Sequence, residues 1–273
     1  MGIGQDFVHL HLHTEFSLLD GACRIGELLD EVEKRKMPAA AVTEHGNLFS
    51  AITFHDEART RGVKPILGCE VYVANGDRRS RTGTPGDTAN HLVLLASTLD
   101  GYHNLIKLVS AGYTEGFYYK PRIDKEILAS HSAGLIGLSS CLKGEVATQI
   151  TRQKEHQALS AAASFRDILG KGNFFLEMQY QGIPEQRVVN EGLIPISKNL
   201  DLPLVCTNDV HYLRQGDSHP HDVLLCIGTG KNVQDSQRLR YHGDQFYLKS
   251  AEEMAAVLGD FREALGNTRL LAD

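Results

Sequence analysis

Cysteine is scarce, with five in 273 residues. That is too few for a disulfide framework in a chain of this length, so a reducing, cytoplasmic setting is expected. Long apolar runs are absent. No stretch approaches the roughly 18–20 residues that a membrane span needs, and no membrane partner is expected. The opening residues, MGIGQDFVHLHLH, lack the basic start and apolar middle of a signal peptide. Met1-Gly2 does not complete a myristoylation motif, because Asp6 stands where Ser or Thr is wanted. Basic excess is missing too. The formal net charge is −6, which disfavours broad neutralisation of a DNA backbone. There is no internal repeat, and no G-x-G-x-x-G follows the first apolar run, so a dinucleotide site loses support.

What is present is an ordinary globular composition, 42% hydrophobic and 23% charged, which argues against disorder. The length allows one large domain or two small ones. Short apolar, β-rich runs occupy 7–13, 39–43, 65–73, 91–96, 134–139, 173–179 and 203–207. Helical patterns lie between them. Ile25, Leu28, Leu29 and Val32 mark one buried helix face; Tyr102, Leu105, Ile106 and Val109 mark another. Leu159, Ala162, Ala163 and Leu169 do so less regularly. Strands alternating with helices predict parallel βα units, in an open doubly wound sheet or a closed barrel.

Two segments break the rhythm. Residues 75–90 (NGDRRSRTGTPGDTAN) are nearly devoid of apolar side chains and read as a loop. Arg78, Arg79 and Arg81 could make it a flap over an anionic substrate. Beyond about 232 the βα rhythm stops. Ser250 and Glu253 form a capping-box pattern. Met254, Val257, Leu258, Phe261 and Leu265 then mark an apolar stripe that Gly259-Asp260 would split into two helices.

Thirteen histidines are the unusual number. Side chains alternate along a strand, so Phe7, His9, His11 and His13 should share one face, with Val8, Leu10 and Leu12 on the other. Buried imidazoles need partners, and a divalent metal satisfies several at once. His9, deeper in the run, fits a core or supporting role better. Asp20, Glu44-His45, Ser139-Ser140-Cys141 and Asn208-Asp209-Val210-His211 follow predicted strands, at the end where α/β enzymes place their sites. Glu70 lies within one. His91 fits less neatly, since it opens its strand. Imidazole, carboxylate and one thiol spread along the chain suit a multinuclear catalytic site rather than a compact structural zinc site. Such ligands admit zinc, manganese or iron. Cys23, Cys69, Cys206 and Cys226 lie in or beside apolar runs and read as packing residues. His219 and His221 read as a helix entrance, and His55 and His103 as helix residues.

These residues fall into recognisable text. His11-Leu-His13-Thr, Ser17-Leu-Leu-Asp20-Gly, Thr43-Glu-His45-Gly-Asn and Gly68-Cys-Glu70 resemble the PHP (polymerase and histidinol phosphatase) family. GFYYKPRID (116–124), GLSSCLKGE (137–145), TNDVHY (207–212) and FYLKSAEEM (246–254) are similar to the branch at the N-terminus of bacterial DNA polymerase III alpha subunits. The resemblance implies an α/β fold, a distorted seven-stranded (βα)7 TIM-like barrel with a short helical C-terminal extension. It divides the chain at about 232, into a metal-binding barrel (1–232) and an extension (233–273) leading toward a polymerase core that is not in this chain. The Met254–Leu265 stripe would dock on that core.

The resemblance also implies a centre of two to three divalent ions held by His11, His13, Asp20, His45, Glu70, His91, Cys141, Asp209 and His211. His11, His13, Glu70 and Asp209 would hold one ion; Glu70 would bridge to a second with His91 and Cys141; Asp20, His45 and His211 would hold a third. Glu70, Asp209 and His13 would carry the reaction. The implied activity is phosphoester hydrolysis, 3′–5′ exonucleolytic on a DNA 3′ end, with small phosphomono-, di- or triesters as simpler substrates. Lys120, Arg122, Arg78, Arg79 and Arg81 are candidate substrate-phosphate contacts. The alternatives are a catalytically silent, metal-stabilised module of the polymerase and an amidohydrolase-like metal barrel, the latter disfavoured by Cys141 and the GFYYKPRID block.

Overall fold

In the computed structural model, which describes residues 7–82 and 89–273, six of the seven apolar runs are strands. They are β1 (Ala39–His45), β2 (Lys64–Val73), β3 (Asn90–Ala96), β6 (Leu135–Leu138), β7 (Phe174–Met178) and β8 (Leu204–Cys206). A hairpin not anticipated from the sequence, β4 (Phe117–Tyr118) and β5 (Lys120–Ile123), adds to the edge of β2. The sheet runs β4-β5-β2-β3-β6-β7-β8, with β1 also on β2. The myristoylation residues and positions 83–88 of the predicted flap lie outside the described residues. Among the described residues no helix is long and apolar enough to cross a membrane.

The regular parallel repeat of a TIM-like barrel is not what forms. The sheet is curled and mixed: β3 runs antiparallel to both β2 and β6. This reversal settles the position of His91. The start of β3 lies at the same sheet end as the finish of β2, with His91 opposite Tyr72.

The run 7–13 is extended but is no regular strand. Ala41 N–H donates to the His9 carbonyl (2.9 Å) and Thr43 N–H to that of Leu12 (2.8 Å). Three steps on one side therefore match two on the other, which is a bulge. The Thr43 hydroxyl accepts from Leu12 N–H at 2.9 Å and fills the gap. On its other side His13 N–H donates to the Val210 carbonyl (2.8 Å), and Val210 N–H to that of His11 (3.1 Å). The bulge corrects the expected alternation. Val8 and Leu10 join a cluster drawn from strand residues such as Ala39, Ala41, Val93, Leu95 and Val205. Leu12 instead joins Phe7 in the larger core, among helix residues such as Leu28, Leu29 and Val32. His9 is turned to the Lys249 carbonyl (2.8 Å) and away from His11 and His13.

Helices pack on the sheet as their periodicity predicts. Ile25, Leu28, Leu29 and Val32 are the buried face of α1 (Ile25–Lys34). Ser250 and Glu253 close the capping box of α9 (Ala251–Leu258), which a single 3-10 turn separates from α10 (Arg262–Ala272). The apolar stripe does not wait for an absent core. Met254, Leu258 and Leu265 are buried in the chain's own main cluster. Thr268 accepts from Val8 N–H at 3.0 Å, and Asn267 donates to the Leu204 carbonyl at 2.8 Å.

Candidate metal centre

The nine residues singled out in the sequence meet at one end of the sheet. Glu70, on β2, is the hub. Its carboxylate lies 3.3 Å from His11 Nε2, 2.8 Å from His45 Nδ1 and 3.0 Å from His91 Nδ1. Cys141 Sγ is 3.9 Å away, and the Ser140 hydroxyl donates to Glu70 at 2.5 Å. Asp209 reaches His11 Nε2 (3.2 Å), His13 Nε2 (3.3 Å) and His211 Nδ1 (3.5 Å). Asp20 reaches His45 Nε2 (3.1 Å) and His211 Nε2 (3.9 Å). The His13 and His45 rings stack at 3.9 Å.

Local backbone aims these groups. Asp209 and Ser140 stand at φ +50° and +66°, in the left-handed region where non-glycine residues are uncommon. Such conformations concentrate at functional sites. Asp209 turns its carboxylate to His11 and His13 while its carbonyl lies 2.9 Å from His211 Nδ1.

The electrostatics ask for positive charge. Burial opposes ionisation of Glu70, Asp209 and Asp20, but the surrounding imidazoles outweigh it and hold all three carboxyls below the usual range. Burial likewise opposes charge on His11, yet Asp209, Glu177 and Glu70 hold its pKa well above 6.5. His45, between Asp20 and Glu70, is pushed up to about 10 against its burial. His13 goes the other way: burial and the neighbouring His45 and His211 lower it.

Divalent cations fit this donor set. Three groups, His11/His13/Glu70, His45/Glu70/His91 and His13/His45/His211, each bring their ligand atoms within 4.8 Å of one another. His11 Nε2, His13 Nε2, both nitrogens of His45 and Asp209 Oδ1 are buried; the facing carboxylate or imidazole atoms lie 2.8–3.3 Å from them, but among the described residues none of these contacts has the alignment of a hydrogen bond. Buried polar atoms are nearly always satisfied, and a cation at this convergence satisfies them together.

A second layer orients the imidazoles, and sequence reasoning missed most of it. Glu177 on β7 lies 2.7 Å from His11 Nδ1 and accepts from Thr207 and from Gln179. Ser17 bonds His13 Nδ1 at 3.1 Å and donates to the buried Glu44 at 2.6 Å. Glu44 therefore supports the site without facing its centre. Tyr241 Oη is 2.9 Å from His211 Nε2 and 3.3 Å from Asp20. Nothing in the residues around Tyr241 signals this, since its loop follows the last strand by more than thirty positions. His221 bonds the Asp20 carbonyl at 2.8 Å and His219 is exposed at the start of its helix. Cys23, Cys69, Cys206 and Cys226 are buried.

The arginines need correction. Arg78 is buried, and its guanidinium pairs with Asp124 (3.0 Å) and Glu115 (2.6 Å). Arg122 is buried and donates to the carbonyls of Gly116, Arg78 and Ser80. Both are spent holding the chain to itself, so neither presents a face to a phosphate. Arg79 pairs with Glu115 at 2.7 Å. Arg81 and Lys120 are exposed. Lys120 Nζ sits 5.3 Å over the Tyr72 ring, whose edge-on neighbour at 5.1 Å is His91.

Residues 9–181 match the PHP domain. Over its whole length the chain is 42% identical to DNA polymerase III subunit alpha of Borreliella burgdorferi, covering 24% of that protein. It is 44% identical over 98% of its length to the subunit of the same name from Treponema pallidum, covering 23%. The chain thus spans about a quarter of the relatives it matches. A solved two-domain protein from Bacteroides vulgatus, containing a predicted PHP-like metal-dependent phosphoesterase, aligns with a TM-score of 0.44 and 15% identity over 96% of this chain and 63% of its own. With more than half of its residues matched, 9–181 of 273, the chain belongs to the PHP domain family.

Proposed function

We propose that this chain is a metal-dependent phosphoesterase whose centre holds up to three divalent ions. The observation that carries the reading is the convergence on Glu70 and Asp209 of buried imidazole nitrogens that form no aligned hydrogen bond there. His11, His13, Glu70 and Asp209 hold one ion, Glu70, His91 and Cys141 a second, and Asp20, His45 and His211 a third. Zinc, manganese and iron all suit this mixture of nitrogen, oxygen and sulfur. When bound, such ions polarise phosphoryl oxygens and make hydroxide available near neutral pH.

The chain's own residues do the positioning. Glu70 and Asp209 bring negative charge that cations offset, so an anionic ester meets a site that need not repel it. His13 lies between the two carboxylates and, with them, borders the reacting phosphate. Tyr241, bonded to His211 and Asp20, covers one flank of the centre.

The substrate we infer is the 3′ end of a DNA strand, cleaved 3′–5′. Supporting this is the similarity to polymerase subunits; the remainder of such a polymerase chain is the partner. Residues 1–232 then carry the centre and 233–273 the extension toward the polymerase core, in the cytoplasm. Small phosphomono-, di- and triesters are further substrates of the fragment.

The test is digestion of a 5′-labelled single-stranded oligonucleotide with Mn²⁺ or Zn²⁺, with and without chelator. A ladder shortening from the 3′ end and lost on chelation is the expected result. Asp209→Asn keeps a residue that tolerates the left-handed backbone and should lower kcat by at least about 100-fold. No hydrolysis of any phosphoester by metal-loaded protein would leave the silent structural module as the reading.

A further inference from the structure

The β4–β5 turn carries a feature that the metal centre does not use. Tyr119 sits at its tip with φ +60° and 82% of its surface exposed. The left-handed region favours Gly or Asn, yet a large aromatic stands there with its ring in solvent. The turn is rigidly mounted. Arg122, buried beneath it, lies 5.2 Å over the Tyr118 ring and bonds three carbonyls. Tyr118 contacts Tyr119 edge-on at 4.6 Å. Phe117, 47% exposed, stacks on Tyr113 at 6.1 Å. The surface is therefore an ordered aromatic one, next to the exposed ammonium of Lys120.

Its placement points to a ligand. Pro121 packs against Gly46, where a Cβ would come within 2.8 Å of the proline ring; Gly46 is the residue after His45. Lys120 Nζ lies over Tyr72, and Tyr72 contacts the rings of both His91 (5.1 Å) and His45 (6.5 Å). One aromatic ring thus separates the ammonium from the candidate ligands. An exposed ring and a cation at the edge of a phosphate-cleaving centre match a nucleotide unit: a flat base and an anionic phosphate.

We propose that the β4–β5 turn is a stacking subsite for single-stranded nucleic acid, with Tyr119 against a base and Lys120 on the neighbouring phosphate. The proposal rests on the phosphoesterase reading of the adjacent centre and names its substrate class. Base–aromatic stacking tolerates any sequence because every base has a π face.

The test separates the subsite from the chemistry. Binding of a fluorescent single-stranded DNA pentamer is measured with chelator present, against an abasic pentamer of equal charge. The unmodified chain should bind the base-bearing strand about tenfold more tightly. Tyr119→Gly relieves the backbone, so it should melt no lower than the unmodified chain. It should bind both strands with the same weak affinity. Tyr119→Phe should restore the preference, and Lys120→Gln should weaken both strands equally and flatten the salt dependence by about one unit. Equal binding of the two strands by the unmodified chain, or a preference that survives Tyr119→Gly, would overturn the proposal. The reading of the centre is scored apart, by whether the metal-loaded, unmodified chain hydrolyses glycerol phosphate.

Discussion

Glu177 stands outside the nine candidate ligands, yet it sets one of them. Its carboxylate lies 2.7 Å from His11 Nδ1, the nitrogen turned away from Glu70 and Asp209. That contact fixes the ring so that Nε2 faces the centre. A carboxylate behind a ligating imidazole also raises its basicity, and losing such a partner costs about 10–100-fold in metal affinity. Glu177→Gln keeps the volume and removes the charge. It should weaken zinc binding by about that factor, read by competition with a chromophoric chelator; an unchanged affinity would sink the assignment. In sequence, Glu177 is a polar position between Leu176 and Met178 and nothing more. His11, His13 and Glu70 were legible because their residue types and spacing belong to a motif. Arg78 and Arg122 misled for the converse reason: a guanidinium in a polar segment looks available until its carboxylate and carbonyl partners are seen.

At the scale of elements, most strands were legible and their directions were not. An apolar run of six residues shows that a strand exists, but β3 is antiparallel because of what it pairs with. The β4–β5 hairpin escaped notice because two and four residues are too few for a pattern. Helix α4 (Lys125–Ser130) shows how the polar segment beside it is held. Asp124 caps that helix, accepting from Ile127 N–H at 3.0 Å, and accepts from Arg78 N–H at 2.9 Å. Burial opposes its charge, but these bonds and the Arg78 guanidinium hold its carboxyl below the usual range. A carboxyl lowered on folding stabilises above its unfolded pKa of about 3.9 and loses that contribution as pH falls through the folded value. Asp124→Ala should therefore destabilise by about 3 kcal/mol at pH 7. The gap between the two melting curves should narrow below about pH 4. A gap that stays constant down to pH 2 would show that the carboxylate charge is not what matters.

At the scale of the whole molecule, the centre is a cross-link as well as a site. Its candidate ligands come from the 7–13 segment, the turn that carries Asp20, β1, β2, β3 and the segments after β6 and β8, so cations bound there would tie most of the sheet together. Ions present at about a thousand times their Kd stabilise by about 4 kcal/mol, which for this size corresponds to a melting shift on the order of 10 °C. Calorimetry before and after exhaustive chelation should show that drop, and re-addition of zinc or manganese should reverse it. An unchanged melting temperature would mean that the histidine cluster is satisfied without metal. The same geometry has a consequence for how the protein is made. His11 and His13 leave the ribosome nearly two hundred positions ahead of Asp209 and His211. At about 5–20 residues per second, the first imidazoles wait about 10–40 s before the carboxylate that completes their site exists. Until then the 7–13 segment also lacks Val210, with which it exchanges two backbone hydrogen bonds. The 7–13 segment cannot be locked, nor the candidate centre assembled, until the stretch through His211 has emerged.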